Sequence, residues 1–157
     1  LRFVPTRPRP VAALAALFAA TLLAGCAAFT PQTPKPTATD FAGIVEELAR
    51  VGVGVANVVA GDPGCDDQRL ARTAISFEAS GLDQPEPTRV FLYAFKNVDV
   101  HEELRPFVDL CARSYVTDPA DYATIDAPPY VFAGPGPWNG DFERALRDAL
   151  ERAAVGG

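Results

Sequence analysis

The sequence predicts an α+β domain: a small, mainly antiparallel sheet of three to four strands with two to three helices packed on it and one disulfide. Three observations carry that prediction. Apolar residues recur at helical spacing in the stretches 41–48, 104–115 and 142–153. Two stretches between them, 71–79 and 90–95, carry strand patterns bounded by glycine- and proline-rich breaks. Cys65 and Cys111 lie within the same region and are available to pair. Periods of 3.6 and 2 residues are the signatures of a helix face and a strand face.

The elements follow in order. Asp40 is a suitable N-cap for a helix carrying Phe41, Ile44, Val45 and Leu48 on one side, and Gly52 can close it. Val51, Val53 and Val55 alternate with Gly52 and Gly54, the pattern of a strand that follows directly. Gly61-Asp62-Pro63-Gly64 reads as a turn. Ala71, Thr73, Ile75, Phe77 and Ala79 alternate with a polar face of Arg72, Ser76, Glu78 and Ser80. A long loop, Gly81 to Thr88, leads to Val90–Phe95, which is apolar on both faces as a central strand should be. Asp99 with Glu102 resembles a capping box ahead of the stripe Leu104, Phe107, Val108, Cys111 and Tyr115, with Pro106 marking a kink or a first turn. Asp118-Pro119 opens a short turn or helix, and Tyr130–Ala133 reads as a short strand. Phe142, Ala145, Leu146, Ala149, Leu150 and Ala153 form the apolar face of a last helix. Helices on one face of the sheet are the expected packing.

The N-terminal 40 residues carry an address rather than a core. Arg2, Arg7 and Arg9 precede an apolar run of 14 residues, Val11–Ala24, broken only by Thr21. A membrane-spanning helix needs about 20 apolar residues and a signal-peptide core about 7–15, so the run fits a signal peptide. It ends in Leu23-Ala24-Gly25-Cys26. This resembles the lipobox of bacterial lipoprotein precursors: an aliphatic residue, two small residues, then cysteine. The resemblance implies cleavage between Gly25 and Cys26 and a lipid on the Cys26 thiol, which then anchors the protein to a membrane; an ordinary secretory signal with an incidental Cys26 is the alternative. Two or three acyl chains hold stably where one does not. Residues 1–25 are then the signal peptide, 26–40 a tether and 41–155 the single globular domain.

The tether, AAFTPQTPKPTATD after Cys26, alternates prolines with threonine and other polar residues. It has no hydrophobic period and favours extended, polyproline-like backbone, with a reach on the order of 40 Å. An O-glycosylated stalk is the rival reading.

Removing residues 1–25 takes away three arginines and no acid, leaving 11 basic against 20 acidic residues, a charge of −9. A domain of that sign without a Lys/Arg run is a poor nucleic-acid partner and is repelled by anionic headgroups, so the lipid has to supply membrane attachment. With Cys26 lipidated and the compartment oxidising, Cys65 and Cys111 are expected to form a disulfide; the alternative is two separate thiols with Cys111 in the core.

The sequence carries few signs of chemistry. His101 is the only histidine and has no second histidine one turn on, so neither a metalloprotease motif nor a zinc site is expected; a surface or capping role is the plain reading. There is no Gly-x-Ser-x-Gly and no Ser-x-x-Lys. Gly52-Val53-Gly54 lacks the third glycine of a dinucleotide loop. Asp62, Asp66 and Asp67 cluster without EF-hand spacing. No catalytic residue, metal or cofactor is therefore expected. The stretch Pro128–Gly140 gathers Tyr130, Phe132 and Trp138 among glycines and prolines. It reads either as a recognition loop or as core filling, with Trp138 stapling the start of the last helix. The expected function is a non-enzymatic binding or envelope-interaction module, held to a membrane by the lipid on Cys26 and facing an envelope protein or a small ligand. The alternatives are a small extracytoplasmic hydrolase with an unrecognised site, or an accessory subunit of a transporter or cell-wall complex.

Overall fold

The computed structural model describes residues 41–156. Gly25, Cys26, the apolar run, the tether and the Asp40 cap lie outside the described residues. Ten elements follow: α1 (Phe41–Arg50), β1 (Val53–Ala60), α2 (Gln68–Ala71), β2 (Ala74–Gly81), β3 (Gln84–Ala94), α3 (Val98–Ala112), a 3-10 turn (Pro119–Asp121), β4 (Tyr122–Ala127), β5 (Tyr130–Pro135) and α4 (Gly140–Val155). The class is α+β, as expected, but with five antiparallel strands and four helices rather than three to four and two to three. The strand order is β1-β2-β3-β5-β4.

Helices cover both faces of the sheet, not one. Val90 and Leu92 point to a core shared with Ile44 and Leu48 of α1 and with Phe142, Leu146 and Leu150 of α4. Phe91 and Tyr93, one residue out of phase, point to a second core with Leu70 of α2 and Val108 and Cys111 of α3. The two-sided apolar pattern of Val90–Phe95 has this cause: a central strand with a helix pair on each side must be apolar on both. The polar face expected of β2 is only partly wet. Ser76 is fully buried and donates its hydroxyl to Asp62 Oδ2 at 2.6 Å.

Several boundaries moved for local reasons. The expected loop 81–88 is a two-residue turn, with Gly81 paired to Gln84 and Leu82 at φ 56. Pro85 and Pro87 lie inside β3, in the stretch that β5 does not reach, since β5 pairs only with Phe91–Ala94. Their missing N–H groups therefore break no bond on that side. Residues 68–71 form α2, so β2 starts at Ala74 instead of Ala71. Asn97, not Asp99, caps α3, its side chain accepting Val100 N–H at 2.9 Å. Pro106 sits within α3, well past the first turn. β4 was not expected at all, although Ala123, Ile125 and Ala127 alternate with Tyr122, Thr124 and Asp126.

Cys65 and Cys111 are joined by a disulfide, with Cα atoms 5.5 Å apart. It fastens the 61–67 connection to α3 over the second core. Gly64 in that connection has φ +78, and an added Cβ would sit 2.7 Å from the Phe91 ring and 2.8 Å from Tyr115. Only glycine fits there.

Candidate functional site

The most organised polar arrangement lies between α3 and β4. His101, Arg105 and Asp109 are spaced four apart and share one face of the helix. Tyr122, Thr124 and Asp126 are spaced two apart and share one face of the strand. The two rows meet as a zipper. Arg105 donates to both oxygens of Asp126 at 2.5 and 2.9 Å, to Asp109 Oδ1 at 2.6 Å and to Thr124 Oγ1 at 3.3 Å. Tyr122 donates its hydroxyl to Asp109 Oδ1 at 2.9 Å, and His101 Nε2 lies 3.3 Å from Asp126 Oδ1. Burial opposes the charge on Arg105, but its hydrogen bonds to Asp126 and Asp109 outweigh it and its pKa is raised.

His101 is not at the surface. It is 6% exposed, its ring edge meets Phe95 at 5.6 Å, and Nδ1 has no hydrogen-bond partner among the described residues. The second core holds a tyrosine cluster beneath the seam. Tyr93 donates to Pro63 O at 2.7 Å, and Tyr115 stacks on Phe91 at 4.5 Å. The Tyr115 hydroxyl is buried near that of Tyr93 without hydrogen-bond geometry, and burial first, then its tyrosine neighbour, raises its pKa. Burial likewise raises those of Tyr93 and Tyr122.

Chemically the seam is a paired polar contact, one guanidinium held between two carboxylates. The Thr124 hydroxyl accepts from Arg105, and His101 faces a carboxylate instead of a nucleophile. Its continuation is open. Between the end of α3 and the 3-10 turn runs a groove of about 630 Å³, lined by Ala112, Arg113, Val116, Thr117, Pro119 and Tyr122, with Asp109 at its head. A smaller hollow of about 300 Å³ begins at the same Tyr122 and passes Ala123 and Thr124 to Pro137, Trp138 and Glu143.

The three aromatics of the expected recognition stretch are core residues in large part. Phe132 is fully buried in β5 and meets Phe77 edge-on at 6.0 Å. Tyr130 opens β5 and is nearly buried. Trp138 is 6% exposed, donates Nε1–H to Pro135 O at 2.9 Å and meets Phe142 edge-on at 6.4 Å. Its remaining edge borders the smaller hollow. This is the staple arrangement, and it leaves little aromatic surface free for recognition.

Two acids of the cluster do structural work, and Asp66 is exposed. Asp62 accepts Gly64 N–H at 2.9 Å as well as the Ser76 hydroxyl. Asp67 caps α2, and hydrogen bonding from Arg69 lowers its pKa to about 2. Among the described residues no group of three or more His, Cys, Asp or Glu is placed to hold a metal ion.

Sequence reading missed the seam because β4 was unread. The four-residue spacing of His101, Arg105 and Asp109 was visible, but nothing in it names the strand it meets. Among the described residues no helix is long and apolar enough to cross a membrane. No family model, curated protein or solved structure matches the chain.

Proposed function

We propose that the chain is the precursor of an exported lipoprotein whose residues 41–155 act as a non-enzymatic binding module at the cell envelope. Cleavage between Gly25 and Cys26 exposes the cysteine, the lipid on Cys26 anchors the chain to a membrane, and residues 26–40 space the domain away from it. The observation that carries the reading is the Leu23–Cys26 box ahead of a domain closed by the Cys65–Cys111 disulfide, a bond that belongs to an oxidising compartment. The acidic charge supports the same arrangement, since it gives the domain no affinity of its own for anionic headgroups. Binding is supported by the groove beside the seam, where polar and apolar walls converge on open space.

The test is the mass of the N-terminal peptide after expression of the full chain in a bacterium. A diacylglyceryl adduct on Cys26 is expected, with the protein in the membrane fraction, and Cys26→Ala should release it unprocessed or soluble. An intact N-terminus, or an unmodified Cys26 in a cleaved chain, would overturn the reading.

A further inference from the structure

The geometry points to a docking surface for the free C-terminus of an extended peptide, formed by the Arg113 groove and the outer edge of β4. The inference rests on the binding-module reading and names the partner chemistry of that site.

The first argument is charge. Among the described residues the arginines 50, 69, 89, 105, 144, 147 and 152 are held in ion pairs. Arg72 and Arg113 are in none, and of these two only Arg113 lines the groove. Asp109, the carboxylate of that groove, is already engaged by Arg105 and Tyr122. On the adjoining turn Asp118 is engaged with Ala120 N–H, and Asp121 is the other acid. The helix C-terminus favours a cation at Arg113 in any case, so charge alone selects no ligand. The walls narrow it: Ala112, Val116, Pro119 and the Tyr122 ring give the apolar side that a terminal side chain needs. A planar fork of donors matches a carboxylate bidentately.

The second argument is backbone. β4 is an edge strand, so one row of its N–H and C=O groups is unpaired in the sheet. The register says which row. Pro135 stands opposite Tyr122 and has no N–H to give. Gly136 N–H donates to Asp121 O, so Asp121–Gly136 is a bonded pair. In an antiparallel ladder bonded pairs alternate, which makes Ala123–Gly134, Ile125–Phe132 and Ala127–Tyr130 the others. The N–H and C=O of Thr124 and Asp126 therefore point away from the sheet. The smaller hollow is lined by Thr124 of this edge, and Tyr122 is a wall of both the hollow and the groove. A compact molecule would fill one depression. An extended chain adds to the edge and reaches the guanidinium, the mode in which main-chain bonds give affinity and pockets give specificity.

The test uses the purified full chain, immobilised, and a pool of pentapeptides randomised in sequence, made once with free C-terminal carboxylates and once as carboxamides. The acid pool should be captured at least tenfold over the amide pool, and Arg113→Gln, an exposed substitution, should abolish that preference. In NMR spectra a captured acid peptide should shift the backbone amides of Thr124 and Asp126. Equal capture of the two pools, a preference that survives Arg113→Gln, or shifts confined to other residues would overturn the proposal. So would displacement of the peptide by butyrate at equal concentration, which would mark a small-carboxylate site. Any of these leaves the Cys26 reading standing, because that is read from the mass of the N-terminal peptide.

Discussion

The Asp83 carboxylate caps α4: its Oδ1 accepts the N–H of Phe142 at 2.9 Å, and Oδ2 accepts that of Asp141 at 3.0 Å. The helix's own N-cap residue, Asn139, makes no side-chain cap bond and instead donates its amide to Asp83 O. The β2–β3 turn thus satisfies the first N–H groups of a helix that starts 57 residues later, and those bonds lower the Asp83 pKa.

Asp83→Ala should lower the melting midpoint, and Asp83→Asn, which keeps an acceptor oxygen, should lower it less. The pH dependence has a definite sign. The folded pKa lies below the ordinary value of 3.8, so the contribution is full above that value and disappears as pH falls through the folded pKa. The gap in midpoint between wild type and Asp83→Asn should be constant near neutrality and narrow below about pH 4. A gap that widens in acid would contradict the cap.

Trp138→Ala removes a nearly buried ring that packs on Phe142 and bonds Pro135 O. Such truncations cost about 3–5 kcal/mol. Urea denaturation should show that loss, with Trp138→Phe intermediate because it keeps the ring contact and loses the hydrogen bond. A change below about 1 kcal/mol would return Trp138 to the surface-recognition role.

The Cys65–Cys111 bond spans 46 residues in sequence. The chain-entropy model gives about 4 kcal/mol for closing a loop of that length, a large share of the net stability of a small domain. Neither thiol should alkylate in exported protein without reductant, and the Cys65→Ala/Cys111→Ala variant should unfold at markedly lower urea. Free alkylation of both cysteines before reduction would contradict the bond.

Arg105→Met should cost about 1–2 kcal/mol. The partly buried guanidinium is well paired, but Asp126 and Asp109 are 36% and 53% exposed and can rehydrate, which limits the loss. Adding Asp126→Asn should recover part of it, a coupling that a double-mutant cycle reads directly.

The elements with strong periodicity were legible. α1, α4 and the central part of β3 lie where their apolar spacing puts them, because a stripe or a two-sided run has one burial solution whatever the topology. The elements that failed were short or ruled by partners. α2 has four residues, and β4 is a six-residue edge strand in which two of the three core-facing positions are alanine, so their local signals were weak. Asp99 with Glu102 resembles a capping box, yet Asn97 holds the cap position of α3.

The sequence by itself determined the α+β class, the two cysteines available to pair and the amphipathic faces of the long helices, and it carries the Leu23–Cys26 box on which the proposed address rests. Each depends on residues near one another in the chain or on a count. Tertiary structure decided that helices cover both sheet faces, that His101 is buried against Asp126, that Asp83 caps a distant helix, and that Arg113 and the β4 edge adjoin the same Tyr122. These depend on which strands become neighbours, a choice made by the burial of the whole apolar surface at once, and no local pattern encodes it.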